Sequence, residues 1–462
     1  MDDKPDAKLK VTKMASTDKK SSSPERDVPG TSDAGAIALT NQLRITFPES
    51  RQTRHGGYLT GGLRAEPGRV IANHRLVKHL GRGGYGNAWL AENTRSETYA
   101  VIKIFKSDTD SRYFAQREID FLIHTARIYH PNVVQRLESH IPVTGPATIT
   151  FEVLGPNLEN VIHYSGQKFY INVIKRITQQ LLEAVIYIHG LRIIHNDLKS
   201  ANVMLVISEQ DVSNLAANSD LTHNLYNIDI TNPDARISVK LADFGLSLYS
   251  NQIPPFHPPC TCLYRAPEQF LTTTVDTAFD MWGIGCVIYE MVAGRFLFAC
   301  RKYRNMEHDR AHWMQIAARF GPIEIDIFRP ELRQEIQIHI DSDGNLKVDP
   351  MPDELLNFYQ TGLDREMSEE EAEEFSDFLN QFFIYDRQIR VTAPMALRHN
   401  FLHSERSQPV VADEHELTIH RASAQALAAP AVPSRVHGNS MENDFKEHVR
   451  IREDEETNLI DS

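Results

Sequence analysis

Apolar residues recur at two spacings along this chain, and each spacing occupies its own stretch. Between positions 74 and 106, short apolar runs flank a glycine-rich turn, and the run from Tyr99 to Phe105 is typical of a β-strand. Further on, apolar residues return every three or four positions, which predicts an amphipathic helix with Gly190 as its C-cap. The apolar positions of this helix are Phe169, Val173, Ile177, Leu181, Val185 and Ile188.

The chain beyond Met281 is predicted to be mainly helical. The apolar run from Met281 to Cys300 contains Glu290 and Arg295, so it indicates a buried core helix and not a membrane span. Ser368, followed by three glutamates, has the capping-box pattern that opens a helix. A β-rich first part before a larger helical part predicts an α+β fold with two lobes and a cleft between them.

Three stretches fall outside this pattern. Residues 1–72 are rich in Ser, Lys, Asp, Gly and Thr and are predicted to form a mostly disordered leader, with ordering expected near Tyr58. Residues 207–236 hold five Asn and four Asp, which predicts a surface insertion or long loop. Residues 404–462 carry twelve acidic and six basic side chains and are predicted to form a disordered, solubilising tail; a docking or regulatory role is the alternative.

Composition and charge narrow the class of protein. The chain has 462 residues, of which 41% are hydrophobic and 24% charged, as in soluble globular proteins. Its net charge of −13 disfavours a general attraction to nucleic acid or to anionic membranes. The N-terminus lacks the apolar run of a signal peptide, so the expected location is the cytoplasm, the nucleus or both.

Four cysteines are too few for a disulfide framework in a chain of this length, and they fit a reducing compartment. Cys260 and Cys262 are separated by one residue, whereas a zinc knuckle has a gap of two, and they have no partner pair. The sequence therefore predicts no metal site at this pair.

The glycine-rich turn has the spacing of a phosphate-binding loop. It consists of Gly81, Arg82, Gly83, Gly84, Tyr85 and Gly86. Glycines allow backbone N–H groups to approach phosphate oxygens closely, although glycine-rich turns are common and this signal alone is weak. Leu80 before the turn and the run from Ala88 to Leu90 after it resemble a hairpin, which argues against a dinucleotide-binding fingerprint.

A lysine follows on the next predicted strand. Lys103 is the last residue of the run that starts at Ala100, and it lies 22 residues after Gly81. A lysine on a buried strand is unusual unless it is paired, and Glu118, in a helical-looking segment, is the expected partner. Such a pair would hold the ammonium group against nucleotide phosphates. The alternative is a surface lysine at a strand edge.

Two further motifs supply carboxylates and an amide. Asp197, Lys199 and Asn202 form one motif, in which the aspartate can accept or orient a hydroxyl proton and the lysine can stabilise a transferring phosphoryl group. The Asn202 amide oxygen can bind magnesium. Asp243, in Asp-Phe-Gly, adds a second metal-binding side chain, and Ala-Pro-Glu ending at Glu268 follows.

In this order, the motifs resemble those of a eukaryotic protein kinase domain over residues 73–403. The finer resemblance is to the CMGC group, and above all to the SR-protein and CDC-like kinases, because the run from Phe151 to Gly155 is similar to their hinge. SR-protein kinases also carry an insertion where residues 207–236 fall. The resemblance implies a small antiparallel-sheet N-lobe with one helix and the hinge (73–155) and a larger, mainly helical C-lobe (156–403).

The resemblance also implies ATP and Mg²⁺ as cofactors and assigns residue roles. Catalysis would involve Asp197, Lys199, Lys103, Glu118 and Thr261, and the metal ligands would be Asn202 and Asp243. Thr261 would bond Asp197 and Lys199, which favours serine or threonine as the acceptor. Phe151 would be the gatekeeper. The ATP site would be lined by Leu80, Gly81, Arg82, Gly83, Gly84, Tyr85, Gly86, Asn87, Ala88, Ala100, Lys103, Phe151, Met204 and the backbone of Glu152 and Leu154.

Three features bear on regulation and substrate. Asn196 stands where the family usually has an arginine that grips an activation-loop phosphate, so we expect activity without that phosphorylation. Two acidic positions by which SR-protein kinases dock Arg-Ser repeats align with Ala311 and Ala318, so we expect weak processive phosphorylation of such repeats. Glu268 is expected to pair with Arg390 and anchor the activation segment.

The leading hypothesis is therefore an ATP-dependent serine/threonine kinase acting on protein substrates, without direct binding to nucleic acid or membrane. A pseudokinase scaffold that binds partners through the tails and the 207–236 insertion is the alternative from a different class. A kinase-like fold acting on a small molecule is a third. Phosphorylation of peptides by the wild type but not by Asp197→Asn would separate the first from the others.

Overall fold

The computed structural model describes residues 42–46, 58–59, 63–218, 223–251, 260–272, 275–300, 308–328, 332–340 and 355–404. The predictions of disorder for positions 1–41 and 405–462 lie outside the described residues. Within these ranges, no helix combines the length and the apolar character that crossing a membrane requires.

The first part of the chain forms an antiparallel sheet with the strand order β4-β5-β6-β7-β9-β8. Alternation along β6 and β7 sends Trp89 and Ile102 to one face, where they pack with Leu76, and sends Lys103 to the other face. The strands are β4 (Val70–Ile71), β5 (His74–Arg82), β6 (Gly86–Asn93), β7 (Tyr99–Phe105), β8 (Arg136–His140) and β9 (Thr148–Phe151).

One long helix, α1 (Thr109–Thr125), accompanies this sheet. It begins after Asp108, whose side chain accepts a hydrogen bond from the Ser111 N–H at 2.8 Å. Its buried face includes Phe114, Phe121 and Glu118, so the predicted carboxylate lies on the side of the helix that faces the protein interior.

The second part is mainly helical, as predicted, around α3 and α6. The helices are α2 (Leu158–Tyr164), α3 (Ile171–Gly190), α4 (Glu209–Ala217), α5 (Pro267–Leu271), α6 (Ala278–Ala293), α7 (His308–Phe320), α8 (Phe358–Leu363), α9 (Glu369–Asn380), α10 (Ala393–Ala396) and α11 (Asn400–His403). Two short antiparallel pairs, β10 (Ile193–Ile194) with β14 (Leu248–Tyr249) and β11 (Val203–Leu205) with β13 (Val239–Leu241), frame the motif residues.

Helix α3 confirms the predicted apolar face, since the predicted positions from Val173 to Ile188 are buried. The prediction of Gly190 as the C-cap is wrong. Gly190 is the last helical residue, Leu191 is the C-cap, and Arg192 takes the left-handed conformation at φ 61°. The chain turns only after Gly190, so the glycine is still in the helical conformation.

Helix α6 is buried on nearly all sides, which confirms a core helix from Met281, although the helix ends at Ala293 and the residues up to Cys300 are not helical. It approaches the motif residues closely, because a Cβ added to Gly283 would lie 2.7 Å from the Leu198 carbonyl oxygen. Ser368 caps α9 as predicted, and its hydroxyl accepts from the Glu371 N–H at 3.2 Å. The Glu371 carboxylate instead pairs with the buried Lys175 at 2.7 Å.

The leader and the insertion differ from their predictions. Strand β1 (Leu43–Thr46), within the predicted leader, pairs antiparallel with β12 (His223–Tyr226), within the insertion. The short strands β2 (Tyr58–Leu59) and β3 (Leu63–Arg64) also pair. The disorder prediction is therefore wrong for Leu43–Thr46, whereas strands β2 and β3 agree with the expected ordering near Tyr58.

The insertion also does more than cover the surface. Leu215, Tyr226 and Ile230 are buried, and Ser208 and Asp211 form a capping box at the start of α4. Lys78 on β5 is 6% exposed, and its ammonium group donates to residues of the insertion. Its acceptors are the Asn218 carbonyl at 3.3 Å and Asn224 Oδ1 at 3.1 Å. The Asn and Asp residues that suggested a loop thus serve as caps and hydrogen-bond partners.

Candidate active site

Lys103, Glu118 and Asp243 converge from β7, α1 and the segment after β13. The Lys103 ammonium lies 2.8 Å from Glu118 Oε2 and 3.0 Å from Asp243 Oδ1. Burial alone would lower the pKa of Lys103, but the charges of Asp243 and Glu118 together raise it above its usual value. The structure thus forms the predicted pair and adds Asp243 to it.

The Glu118 carboxyl is the most deeply buried of the three side chains, with 2% of its surface exposed. Burial raises its pKa to about 7, and the negative charge of Asp243 adds to this effect, whereas Lys103 opposes it. Glu118 therefore titrates within the neutral range in the free protein.

A second group of side chains surrounds Asp197. The Thr261 N–H and hydroxyl donate to Asp197 Oδ1 at 2.9 and 2.6 Å. The Lys199 ammonium lies 2.5 Å from Thr261 Oγ1 and 3.2 Å from Asp197 Oδ2. Asn202 Nδ2 donates to the Asp197 carbonyl at 2.8 Å and to its Oδ2 at 3.2 Å. The predicted bonds of Thr261 to Asp197 and Lys199 are present, and Asn202 joins the same group by bonds that were not predicted.

The backbone joins the two groups. The Ala242 N–H donates to the Asn202 carbonyl at 2.9 Å, so Asn202 and Asp243 lie at the same end of the β11–β13 pair. Asp243 takes the left-handed conformation at φ 63°, which is uncommon for a non-glycine residue and clusters at functional sites. The rings of His195 and Phe244 pack edge to face at 5.1 Å beside it.

The glycine-rich turn closes on itself, with the Gly83 N–H donating to the Gly86 carbonyl at 2.8 Å. A Cβ at Gly86 would lie 2.5 Å from the Ile104 carbonyl oxygen, so a larger residue does not fit without movement. The Tyr85 ring stacks on Phe114 of α1 at 4.0 Å. The turn can therefore present its backbone N–H groups while the Tyr85 ring faces the helix. Arg82 and Gly83 are exposed at the turn, and Gly81 and Gly84 are partly exposed.

Two predicted ATP contacts lie on the wrong face of the sheet. Ala100 alternates with Val101 and Lys103, so its side chain points away from the face that carries Lys103, and it is 3% exposed. Asn87 is also buried, and its Oδ1 lies 3.3 Å from His79 Nε2 across the hairpin. Val101 is the residue that shares the Lys103 face, and the period of two could have identified it from the sequence.

The remaining predicted adenine contacts lie around the same face. Ala88 is directly opposite Lys103 in the β6–β7 register, and Phe151 is opposite Val101 in the β7–β9 register. Leu80 is 36% exposed, Leu154 is 8% exposed, and Met204 is half-buried beside Asn157. These positions fit the predicted bracket around a planar base.

The Glu152 side chain has a role that the sequence did not predict. Its carboxylate accepts from the buried Lys240 at 2.7 and 2.8 Å and from the Gln135 N–H at 2.8 Å. The Glu152 N–H donates to the Gln135 carbonyl at 3.2 Å. These bonds fix the hinge backbone, and the Glu152 carbonyl is the group of this residue that we expect to face the adenine edge.

The activation segment is anchored as predicted. Both Glu268 and Arg390 have 0% side-chain exposure, and their two N–H···O bonds measure 2.6 and 2.9 Å. Asn196, at φ 66°, donates from Nδ2 to the Leu246 carbonyl at 3.1 Å and accepts from Gln269 Nε2 at 3.1 Å. Uncharged hydrogen bonds thus connect the catalytic loop to α5.

Sequence reasoning missed a second buried network at Glu290 on α6. Its carboxylate accepts from Tyr264 at 2.6 Å and from Ser200 at 2.9 Å, and it lies 2.9 Å from His163 Nε2. Burial is the main cause of a Tyr264 pKa well above its usual range, and the Glu290 charge adds to it. The available signal was a glutamate within the apolar part of α6 that follows Met281.

Fold and site together define a two-lobed nucleotide-dependent phosphotransferase. A family model for the protein kinase domain matches residues 74–402, which is more than two thirds of the chain. The chain therefore belongs to the protein kinase domain family, and the predicted family and α+β bilobal fold are confirmed.

The chain is also similar to proteins that are named as serine/threonine-protein kinases. The chain is 28% identical to the serine/threonine-protein kinase AFC3 of Arabidopsis thaliana, over 78% of this chain and 89% of that protein. It is 28% identical to the serine/threonine-protein kinase SRPK of Physarum polycephalum, over 72% of this chain and 86% of that protein. It is 29% identical to the serine/threonine-protein kinase AFC1 of Arabidopsis thaliana, over 52% of this chain and about half of that protein. These relatives belong to the CMGC group that the motifs indicated.

Proposed function

We propose that the protein is a catalytically active, ATP-dependent serine/threonine kinase that phosphorylates protein substrates. The observation that supports this most is the geometry at Asp197. Its carboxylate is held by Thr261 and Asn202, with the Lys199 ammonium 3.2 Å away. A carboxylate fixed in this way can orient an acceptor hydroxyl and accept its proton. A scaffold would not need this arrangement, and no contact in the described residues favours that alternative.

The other residues would act on charge and position. Lys103, held by Glu118, would neutralise phosphate oxygens, and the backbone of the glycine-rich turn would cradle them. Asp243 offers a carboxylate oxygen and Asn202 an amide oxygen, and both are donor types that Mg²⁺ prefers. The two residues are close in space because the Ala242 N–H donates to the Asn202 carbonyl. Bound there, Mg²⁺ would offset negative charge on the phosphates. The Asn202 Nδ2 bonds to Asp197 leave Oδ1 as the atom for this role.

We further propose that the activation segment needs no phosphate. A phosphate on that segment would normally be gripped by an arginine, and Asn196 stands in its place. The Asn196 bonds to Leu246 and Gln269 connect the same parts of the protein without charge. The expectation is full activity of phosphate-free enzyme, and a strict requirement for phosphorylated Thr261 or Tyr249 would contradict it.

The residues around Ala311 on α7 bear on the substrate class. Ala311, where an Arg-Ser docking acid would stand, is 3% exposed, and Arg319 adds a positive charge on the same helix. Asp309, the nearest acid, lies 3.6 Å from Arg265. We therefore propose basic serine-containing substrates without tight docking of long Arg-Ser repeats. Tight binding of an Arg-Ser peptide that is lost on neutralising Asp309 would contradict this proposal. Glu307, the other acid close to Ala311 in the sequence, lies outside the described residues.

The decisive experiment compares wild type, Asp197→Asn and the control Asp120→Asn, which changes an exposed side chain on α1. Each is given Mg·ATP and a panel of basic serine peptides, and Mg·ATP-dependent thermal stabilisation is measured in parallel. We expect phosphate transfer by wild type and Asp120→Asn only, with ATP stabilisation in all three. Stabilisation without transfer in the wild type would favour the scaffold, and transfer by Asp197→Asn at the wild-type rate would remove Asp197 from the mechanism.

A further inference from the structure

Two cysteines and two histidines from distant parts of the sequence meet beside the activation segment. Cys262 directly follows Thr261, Cys300 lies after α6, and His308 and His312 are one turn apart on α7. One ligand atom from each of the four lies within 4.8 Å of the others. Cys262, Cys300 and His312 are 5%, 4% and 2% exposed, and His308 is partly buried.

We propose that these four side chains bind one zinc ion that fastens the activation segment to α7. Two thiolates and two imidazoles are the donor set of closed, four-coordinate structural zinc sites. In such a tetrahedron, bonds of about 2.3 Å to sulfur and about 2.0 Å to nitrogen separate the donor atoms by about 3.3–3.8 Å. Cys300 Sγ and His308 Nε2 are already 3.3 Å apart. Two thiolates also cancel the charge of Zn²⁺, so the buried site is neutral.

The surroundings of both histidines point independently to a ligand. His312 Nε2 is buried and has no hydrogen-bond partner among the described residues, although buried ring nitrogens are normally satisfied. The second ring nitrogen of His308, Nδ1, lies 3.3 Å from Asp309 Oδ1. A carboxylate on the far nitrogen is the usual orienting contact of a metal-binding histidine.

The protein framework fixes the relative positions of these groups. The Gln315 side chain on α7 bonds both the N–H and the carbonyl of Ala299, at 2.9 and 2.7 Å, and so holds the adjacent Cys300 against the helix. The His312 ring stacks on Phe270 of α5 at 5.5 Å. These contacts hold Cys300 and His312 beside each other, so we expect zinc binding to require small side-chain movements.

The proposed zinc ion would lie outside the catalytic centre but would act on its geometry. Cys262 is the neighbour of Thr261, whose N–H and hydroxyl hold Asp197. A zinc ion at Cys262 would keep Thr261 in place by a bond that requires no phosphate. Like the uncharged hydrogen bonds of Asn196, this zinc bond would hold the activation segment without a phosphate. The proposed zinc site does not depend on the proposed kinase activity.

The sequence predicts no metal site at Cys260 and Cys262, because their spacing does not fit a zinc knuckle and no second cysteine pair accompanies them. The structure separates them. Cys260 Sγ accepts hydrogen bonds from Arg265 Nε at 3.1 Å and Gln269 Nε2 at 3.3 Å, while Cys262 joins residues 38 or more positions away.

The test measures metal directly. The full, tag-free chain is purified without chelator from zinc-supplemented medium, and zinc per chain is determined by elemental mass spectrometry. We expect one zinc per chain in the wild type and almost none in Cys262→Ser, Cys300→Ser or His312→Gln. The matched controls Cys260→Ser and His403→Gln change the same residue types outside the cluster and should keep their zinc.

A second measurement covers variants that fail to fold. The folded wild type is loaded with Co²⁺, and we expect a thiolate-to-cobalt charge-transfer band that Zn²⁺ abolishes on addition. A chelator should lower the melting temperature of the wild type. Folded wild type that takes up neither Zn²⁺ nor Co²⁺, a Cys262–Cys300 disulfide in freshly prepared reduced protein, or zinc retained by all three cluster variants would each overturn the proposal. None of these readings uses kinase activity, so they stand apart from the test of function.

Discussion

Breaking the Glu268–Arg390 pair from either side should destabilise the protein, and by unequal amounts. Glu268 Oε1 and Oε2 each accept one bond from the Arg390 guanidinium. The guanidinium donates in addition to three carbonyl groups, those of Ala278 at 2.9 Å, Ile384 at 2.8 Å and Tyr385 at 3.4 Å. Arg390 thus has partners besides the carboxylate, and both side chains are fully shielded from water.

The magnitudes follow from what each substitution leaves behind. Breaking a buried ion pair from one side costs about 3–5 kcal/mol. Glu268→Gln should lie near the lower limit, because the guanidinium keeps its three carbonyl partners and one amide oxygen still accepts. Arg390→Met should reach about 5 kcal/mol, because it leaves a buried carboxylate and three carbonyls without their donor. The double variant should cost less than the sum of the single changes.

The assay is guanidinium-induced unfolding of the full chain, with free energies of unfolding compared at a common slope. Arg75→Met is the control, since Arg75 pairs at 3.7 Å with Glu92 and its own side chain is 53% exposed. Such a pair contributes at most about 1 kcal/mol. The reasoning would be refuted if Arg390→Met cost no more than this control, or if Glu268→Gln cost more than Arg390→Met.

Three further predictions concern other parts of the protein. The pKa of Glu118 is raised to about 7, so its carboxylate should lose its charge as the pH falls through 7. We therefore expect kcat/KM to decline there in the wild type and to show no such inflection in Glu118→Gln. Gly86→Ala should cost about 1–3 kcal/mol in thermal unfolding, because its Cβ meets the Ile104 carbonyl at 2.5 Å, and Gly83→Ala, with its nearest atom at 3.6 Å, should cost clearly less. Lys78→Met should cost about 1–3 kcal/mol and speed hydrogen exchange in residues 223–226, since it removes the donor to Asn224; unchanged exchange would contradict this link.

The sequence was sufficient for the chemistry of the site because its motifs lie at the ends of regular elements. Lys103 near the end of a strand, Glu118 on a helix and Asp243 after a short strand were identified from their motifs and the family resemblance, and all three meet. The errors at Ala100 and Asn87 have one cause. Strand side chains alternate with a period of two, so an assignment displaced by one residue selects the opposite face of the sheet.

The leader and the insertion show the limit of composition as a guide. Few apolar residues in positions 207–236 suggested a loop, yet Leu215, Tyr226 and Ile230 are buried although most of the described segment stays at the surface. The pairing of Leu43–Thr46 with His223–Tyr226 joins strands about 180 residues apart. Nothing in either segment alone specifies its partner, because an isolated short strand has unpaired backbone groups that any edge can satisfy.

The amino-acid sequence by itself determined the types of element, their order and the reactive groups of this protein, because helical and strand periods, caps and glycine turns act over a few residues. Only the tertiary structure decided which distant side chains became neighbours. The cluster of Cys262, Cys300, His308 and His312 and the network at Glu290 both depend on how α6, α7 and the activation segment pack. Packing satisfies buried groups across the whole domain at once, so these long-range contacts cannot be predicted from any local sequence pattern.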